Sequence, residues 1–250
     1  MRSEARPGYP LPIMRVLVGT SGYSYKEWKG PFYPEKLPAK DFLRYYAERL
    51  STVEINNTFY RMPTAKLVEG WAGEAPETFT FAVKAPQRIT HLAKLVDAAE
   101  TTRIFVHTVS ALGPRLGPLL FQLPPFLRKD VGRLSSFLDH TCALFDGRPG
   151  GHRIAFEFRH PSWFDDEVWA VLRAHRVALC VAEGEALASP LVATSEWGYV
   201  RLRKDEYPDA LLEEWAKKIA AQPWREAYVY VKHDEGDAPG VARRLVALLP

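Results

Sequence analysis

The segment Ile154-Ala-Phe-Glu-Phe-Arg159 has the alternation of a β-strand and carries charge on one of its two faces. Successive strand side chains point to opposite sides, so three apolar residues take one face while Ala155, Glu157 and Arg159 take the other. A charge inside a strand is costly unless it is paired or solvated. The segment therefore predicts a strand whose C-terminal end enters a polar site.

The same phase recurs in other strand-like segments of the chain. In Thr52-Val-Glu-Ile-Asn56 the glutamate and the asparagine oppose two aliphatic residues, and in Phe79-Thr-Phe-Ala-Val-Lys84 the lysine opposes two phenylalanines and a valine. Repeated polar groups at strand ends predict a polar mouth. Seven charged or amide side chains share this placement: Glu54, Lys84, Gln122, Glu157, Arg159, Arg201 and Lys232.

Strand-like and helix-like segments alternate along the whole chain. The predicted strands cover residues 15–19, 52–56, 79–84, 118–122, 153–158, 177–182, 198–203 and 227–232, and the predicted helices cover 40–50, 64–73, 97–112, 130–145, 165–176, 209–221 and 239–249. This order predicts a single (β/α)8 TIM-like barrel in which the helix after strand six is reduced or missing. An open doubly wound sheet is the alternative, but its strands usually read as continuous apolar runs.

Length and composition favour one domain in a reducing compartment. We expect a loose N-terminal arm over residues 1–13 and one barrel domain over 14–250, because no long linker divides the 250 residues. Two cysteines, Cys142 and Cys180, predict buried thiols rather than a disulfide framework. No apolar run suits a signal peptide or a membrane span, which predicts a cytoplasmic protein. A net charge of +3 is too small to identify a nucleic-acid binder.

Six ordered motifs between residues 15 and 245 resemble the YecE-like family, also called domain of unknown function 72. The resemblance implies a TIM-barrel fold, in agreement with the strand count, and leaves the activity unassigned. The motifs are Gly19-Thr-Ser-Gly-Tyr-Ser-Tyr25, Phe32-Tyr-Pro34, Val53-Glu-Ile-Asn-Asn-Thr-Phe-Tyr60, Phe81-Ala-Val-Lys-Ala-Pro86 with Thr90-His91, Leu120-Phe-Gln-Leu-Pro-Pro125 and Glu157-Phe-Arg-His-Pro-Ser-Trp163.

Two strand ends depart from the family pattern. The seventh strand reads Arg201-Leu-Arg-Lys204, where the family usually continues Arg-Leu with His-Gly. The eighth reads Val231-Lys-His-Asp234, where the family usually ends in Asn-Asn-Asp. Both changes add positive charge, so they predict a more anionic ligand for this chain.

Glu54 and Glu157 are the predicted acid/base carboxylates, since they approach the mouth from strands two and five. The alternative is a structural ion network in which Glu54 pairs with Lys84, and Glu157 pairs with Arg159 or Arg201. Lys84 is the third predicted catalytic residue, as an electrophile, a phosphate contact or, if desolvated, a Schiff-base nucleophile.

The predicted substrate contacts include arginines, whose planar guanidinium groups suit carboxylate or phosphate. They also include polar and aromatic groups from the strand ends and loops. Loop aromatics can stack on sugars or unpaired bases, or pack together as a lid. The predicted contacts are Ser21, Tyr23, Asn56, Tyr60, His91, Gln122, Arg159, His160, Trp163, Arg201, Arg203, Lys232 and Asp234.

Three histidines that follow strand ends are candidates for a divalent metal site. His91, His160 and His233 could converge with Glu157 or Asp234, although a histidine that caps a loop is the commoner outcome. The turn Gly19-Thr-Ser-Gly22 could cradle an anion with backbone N–H groups, but it lacks the Gly-Lys-Ser/Thr ending of a P-loop. No nucleotide cofactor is expected.

The charge layout predicts an enzyme, a hydrolase or an isomerase, that acts on an anionic, hydroxyl-rich substrate at the barrel mouth. A sugar phosphate and a nucleic-acid fragment both fit that description. The first alternative is a metal-assisted nucleic-acid-processing or DNA-binding barrel that takes single-stranded or damaged nucleic acid. The second is a ligand-binding barrel without catalysis. No membrane or disulfide partner is expected.

Overall fold

Eight parallel strands form a closed barrel in the computed structural model, which describes residues 14–147, 151–184, 187–232 and 236–249. Each strand pairs with its neighbours in chain order, and the last pairs with the first. The predicted TIM-like barrel is therefore confirmed, and the open-sheet alternative is wrong. The strands are β1 (Arg15–Ser21), β2 (Thr52–Ile55), β3 (Thr80–Lys84), β4 (Leu116–Gln122), β5 (Ile154–Glu157), β6 (Ala178–Ala182), β7 (Trp197–Leu202) and β8 (Glu226–Val231).

Seven α-helices surround the barrel in the described part of the chain. The described residues between β6 and β7, which are 183–184 and 187–196, contain no helix, as the sequence predicts. The predicted arm over residues 1–13 lies outside the described residues. The helices are α1 (Phe42–Ala47), α2 (Ala65–Glu74), α3 (Ala99–Val109), α4 (Val131–Ala143), α5 (Asp166–Ala174), α6 (Asp209–Ala220) and α7 (Ala238–Leu248).

The third helix is shorter than the predicted segment 97–112. It ends at Val109, and a 3-10 turn covers Ser110–Arg115. Gly113 has a φ of 58°, in the left-handed region that favours glycine, and Pro114 has no N–H to continue the ladder. These two residues prevent the α-helix from continuing to the start of β4.

Short polar side chains begin several of the helices. Asp130 accepts a hydrogen bond from the N–H of Arg133 at the start of α4, and Asp165 accepts one from Glu167 at the start of α5. Thr64 caps α2 in the same way. Such caps satisfy N–H groups that have no partner inside the helix, so they fix where each helix leaves its loop.

The barrel interior changes from apolar to polar along the strand direction. Strand pairing places Ser21 beside Glu54, Gln122 beside Glu157 and Ala182 beside Arg201. These polar groups therefore form the layer at the C-terminal ends of the strands, as their phase predicts. The layers below are filled by small, aliphatic and aromatic side chains: Leu17, Ala82, Leu120, Ala155, Ala178, Cys180, Trp197, Tyr199, Tyr228 and Tyr230.

Both cysteines are free in the structure. Cys180 is buried inside the barrel, and Cys142 on α4 is partly buried. Burial, together with the nearby Glu157 carboxylate, raises the pKa of the Cys180 thiol well above its usual value. Their predicted role as structural thiols is consistent with this placement. Within the described residues, no helix is long and apolar enough to cross a membrane.

Candidate active site

Arg201 of β7 lies at the centre of the polar layer and joins two carboxylates. Its Nη2 donates to Glu54 Oε1 of β2 at 2.9 Å, and its Nη1 donates to Glu157 Oε2 of β5 at 2.5 Å. All three side chains are at most 3% exposed. A planar guanidinium presents its donors in a fixed fork, so one arginine can bridge carboxylates from opposite sides of the barrel.

Glu54 is fully buried and accepts hydrogen bonds from four side chains. Besides Arg201, its donors are Ser21 Oγ at 2.7 Å, Asn56 Nδ2 at 2.9 Å and Tyr199 OH at 2.6 Å. Burial acts to raise the pKa of Glu54, but the Arg201 charge and these donors outweigh burial and hold the pKa below its usual value. Glu54 is therefore ionised at neutral pH.

Glu157 accepts from three arginines. Arg201 and Arg159 both bond it, and Arg203 Nη1 lies 3.4 Å from Oε1. Burial acts to raise the pKa of Glu157, yet the charges of Arg201 and Arg159 lower it overall. The Arg159 and Arg203 side chains are 27% and 20% exposed. They therefore give the mouth more positive charge than the Glu157 carboxylate neutralises.

Lys84, at the end of β3, does not form the ion pair with Glu54 that the structural-network alternative predicts, because the Arg201 guanidinium bonds that carboxylate. Its Nζ lies 4.1 Å from the centroid of the Phe59 ring, and no hydrogen bond or ion pair joins it to another described residue. Burial, reinforced by the positive charge of Arg201, lowers the pKa of Lys84 to about 8.

The histidines at the mouth make local contacts. His160 Nδ1 lies 2.8 Å from Ser162 Oγ and accepts from the Ser162 N–H, so this histidine caps the turn Pro161–Trp163. His91 Nδ1 lies 2.9 Å from Thr90 Oγ1, and burial and nearby Lys84 lower its pKa. Among the described residues, no three His, Cys, Asp or Glu side chains form a group that could hold a metal. His233 and Asp234 lie outside the described residues, so a metal site that includes them stays a prediction.

Trp163 requires a correction, because it packs in the core and has no surface for a substrate. It is 0% exposed, and its Nε1 donates to Leu127 O at 2.7 Å. Its ring stacks on Phe158 with centroids 4.8 Å apart. Among the other loop aromatics, Trp28 and Tyr33 are also buried, so packing accounts for much of the aromatic content of these loops.

The turn after β1 does not offer the predicted anion cradle. The Thr20 N–H donates to Tyr46 OH at 2.9 Å, and the Gly22 N–H donates to Glu54 O at 2.8 Å. These donors are used in the fold. Ser21 is 4% exposed, and its hydroxyl donates to Glu54 at the mouth.

A small cavity lies between the loops that follow β1 and β2. Its volume is about 300 Å³, and Tyr23 and Asn56 are among its lining residues. Two buried polar atoms beside Glu54, Asn56 Oδ1 and Arg201 Nε, have no hydrogen-bond partner among the described residues. The side chains that bond Glu54 therefore include one unsatisfied acceptor and one unsatisfied donor, which a hydroxyl group or a water could satisfy.

The remaining predicted contacts lie around the rim. Gln122 and Lys232 are partly buried at the ends of β4 and β8, and Tyr60 is 77% exposed on the loop after β2. The sequence analysis missed Tyr199, which donates to Glu54 from inside the barrel. It stands two residues before Arg201 on β7, so strand alternation could have placed it on the same face.

These features define a TIM-barrel protein with a charged site at the C-terminal ends of its strands. The chain belongs to the family described as "Protein of unknown function DUF72", whose profile matches residues 17–250. The resemblance noted in the motifs is therefore confirmed.

Named relatives and solved structures agree with this membership. The chain is 32% identical to the UPF0759 protein YecE of Escherichia coli (strain K12) over 123 residues, which cover 49% of this chain and 43% of YecE. It is 25% identical to the UPF0759 protein YunF of Bacillus subtilis over 86% of the chain and 78% of YunF. The chain thus spans less than half the length of YecE.

The crystal structure of a DUF72 family protein from Thermotoga maritima has the same fold. The two superpose with a TM-score of 0.78 at 26% identity, over 94% of this chain and 98% of that one. A β-mannanase from the blue mussel Mytilus edulis has a TM-score of 0.53 at 7% identity, covering 93% and 92% of the chains. That likeness shows the barrel fold alone.

Proposed function

We propose that the protein is an enzyme that binds a small anionic, hydroxyl-bearing substrate at the C-terminal mouth of the barrel. The observation that carries the proposal is the convergence of Arg159, Arg201 and Arg203 on the single buried carboxylate of Glu157. With Lys84 the cluster around Glu54 and Glu157 has four cationic groups against two carboxylates, a surplus of +2 within the cluster. An anionic ligand would balance that surplus.

Lys84 fits the acid/base role better than the two glutamates do. A general acid must hold a proton near neutral pH, but both glutamates have lowered pKa values and are bonded to arginine. Lys84, with a pKa of about 8, titrates close to neutral pH. We therefore assign Glu54 and Glu157 to positioning the arginines, and Lys84 to the chemical step.

A retaining glycosidase mechanism does not suit this geometry. Such enzymes use one carboxylic acid with a raised pKa and a second carboxylate roughly 5 Å away, with the sugar between them. Here the Arg201 guanidinium occupies the space between Glu54 and Glu157. The barrel shared with the mussel β-mannanase therefore carries no argument for glycoside hydrolysis.

The substrate we favour is a small sugar phosphate. The cavity of about 300 Å³ beside the mouth is at the small end of ligand sites. Asn56 lines this cavity beside Glu54 and offers a polar side chain to a sugar hydroxyl, while the partly exposed Arg159 and Arg203 at the mouth can bind the phosphate. Free thiols are consistent with a cytoplasmic setting, which stays a prediction.

Arg203→Gln is expected to weaken binding of ribose 5-phosphate about tenfold to a hundredfold, because a charged hydrogen bond contributes about 1.5 to 3 kcal/mol. In a thermal-shift titration, ligand at 100 times its dissociation constant should raise the wild-type midpoint by roughly 5 to 10 °C. The variant should need correspondingly more ligand for the same shift.

Arg103→Gln is the matched control, since Arg103 is 59% exposed and pairs with Glu100 on α3 rather than with a mouth carboxylate. Its titration should follow that of the wild type. Equal titrations for Arg203→Gln and wild type, or no shift with ribose 5-phosphate and inorganic phosphate, would contradict the proposed site. A shift without turnover of any sugar phosphate would favour the ligand-binding barrel without catalysis.

A second candidate function, single-stranded nucleic-acid binding, is favoured by the apolar side chains at the rim. Tyr60, Leu92 and Phe126 are 77%, 71% and 64% exposed on the loops after β2, β3 and β4. Lys94 Nζ lies 5.4 Å from the centroid of the Phe126 ring. Exposed rings beside cations are typical of surfaces on which bases stack.

If this function is present, Tyr60→Ala and Phe126→Ala should each weaken single-stranded DNA binding by about 1 to 3 kcal/mol. Fluorescence anisotropy at 50 and 200 mM salt would measure it, and wild-type affinity should fall steeply with salt. Val246→Ala on α7 is the control for an exposed apolar side chain elsewhere. Salt-independent binding, or equal loss in all three variants, would exclude the rim as the nucleic-acid site.

A further inference from the structure

The backbone of Lys84 is fixed at the mouth by contacts on both sides of β3. Lys84 pairs with Leu120 in the β3–β4 ladder, and its carbonyl accepts from Thr58 Oγ1 at 2.6 Å. The next residue, Ala85, donates its N–H to Leu120 O at 2.8 Å. A side chain on a strand fixed from both sides can be placed accurately against a bound substrate.

The surroundings of the amine increase the fraction of its neutral form. Its Nζ lies on the Phe59 ring, while Arg201 and Arg159 supply positive charge nearby and already occupy the buried carboxylates. At a pKa of about 8, roughly one molecule in ten carries the neutral amine at pH 7, against fewer than one in a thousand for an ordinary lysine. Only the neutral amine can attack a carbonyl carbon.

Lys129 shows the contrast within the same chain. Its Nζ lies 3.0 Å from both Asp165 and Glu167, and these bonds raise its pKa. A lysine of that kind stays protonated and acts as a point charge. The partly buried Lys84 is arranged differently, next to cations and an aromatic ring.

We infer that Lys84 forms an imine with the carbonyl group of the substrate, a small aldehyde or ketone that also carries a carboxylate or phosphate. The inference rests on the proposed function, because Arg159 and Arg203 must bind the anionic group for the carbonyl to lie at Nζ. It deepens that function by assigning the substrate a carbonyl and the enzyme a covalent intermediate.

The chemical step balances without an oxidant or a reductant. The Nζ lone pair forms a bond to the carbonyl carbon, and the carbonyl π electrons move to oxygen, which takes up a proton. The nitrogen loses a proton to solvent, the C–O bond breaks, and the oxygen leaves as water after it gains a second proton. The product is a protonated imine, whose positive charge favours loss of a proton from the adjacent carbon.

Reductive trapping tests the inference. The full chain is incubated with pyruvate, glyoxylate or dihydroxyacetone phosphate in the presence of sodium cyanoborohydride, and the modified peptides are mapped by mass spectrometry. We expect one adduct per chain, on Lys84, with at least one of these probes. The initial labelling rate should rise about fivefold from pH 7 to pH 8 and level off above pH 9, as a pKa of about 8 requires.

Two matched variants separate this outcome from surface labelling. Lys84→Arg keeps the positive charge but cannot form an imine, so its labelling should be lost. Lys129→Arg should label like the wild type. Labelling spread over several lysines, labelling retained in Lys84→Arg, or a rate that keeps rising to pH 10 would overturn the inference.

Failure of the imine is distinguishable from failure of the proposed function. Glycerol 3-phosphate has the anionic group but no carbonyl, so it tests anion binding alone. A thermal shift with glycerol 3-phosphate that is reduced in Arg203→Gln, together with no trapped adduct, would overturn the imine and leave the anion site in place. No shift and no adduct would overturn both.

Discussion

Arg201→Met should lower the free energy of unfolding by about 3 to 5 kcal/mol, the usual cost of removing one partner from a buried ion pair. The substitution leaves Glu54 and Glu157 buried without the guanidinium that bridges them. For a chain of 250 residues this corresponds to a decrease in the melting midpoint of roughly 6 to 20 °C, measurable by calorimetry.

The pH dependence of this variant identifies the cause. In the wild type the two glutamates have lowered pKa values, so their stabilising effect is complete above the ordinary value of 4.5 and is lost as the pH falls through the folded pKa. In Arg201→Met, Glu54 keeps only neutral donors, so burial should raise its pKa, while Arg159 remains bonded to Glu157. The variant should therefore become more stable as the pH falls from 8 to 5.

Arg225→Met provides the matched control, because Arg225 pairs with Glu196 on the surface and its side chain is 73% exposed. Its midpoint should stay close to that of the wild type. If Arg201→Met melts like Arg225→Met, or shows the wild-type pH profile, the buried network does not hold the mouth together as described.

The second large effect is expected from Gly19→Ala in β1. A Cβ atom at this position would lie 1.9 Å from Thr52 O and 2.8 Å from Thr52 C, and both are backbone atoms of β2. Backbone cannot rotate away as a flexible side chain can, so β1 and β2 must separate. We expect a loss of about 3 kcal/mol or more, at the upper end for overpacking.

Gly70→Ala is the control, because an added Cβ there would meet no atom within 4 Å. Gly70 lies within α2, where alanine stabilises a helix by about 0.5 to 1 kcal/mol relative to glycine. Chemical denaturation of both variants measures the two changes in free energy. A Gly19→Ala protein as stable as the wild type would show that the strands approach less closely at this point.

The fold could be predicted from local patterns because each strand carries its own alternation. Glu54 and Glu157 occur on the inward phase of their strands, and the structure places both inside the barrel. The end of α3 was harder to predict, since apolar periodicity continues beyond Val109 and only Gly113 and Pro114 indicate the change. Local periodicity reports which face is buried, but it is weaker at the ends of elements.

The pairing inside the site could not be predicted from alternation alone. Lys84 and Arg201 both reach the mouth, and only the closed barrel decides which cation bonds Glu54. The reach and fork of the arginine favour it over the lysine. Trp163 is a similar case, because a loop aromatic can face the rim or the core, and the structure shows that it packs on Phe158.

The Arg201 bridge also has a consequence for the order in which the chain folds. Arg201 lies 147 positions after Glu54 and 44 positions after Glu157 in the sequence. The bridge therefore forms only once β7 has been synthesised. A nascent chain that ends before β7 already holds Arg159 beside Glu157 but has no guanidinium for Glu54. Burial of the unpaired Glu54 carboxylate opposes early closure, and contacts of such long range slow folding. We therefore expect the barrel to close late, when its last quarter joins the sheet.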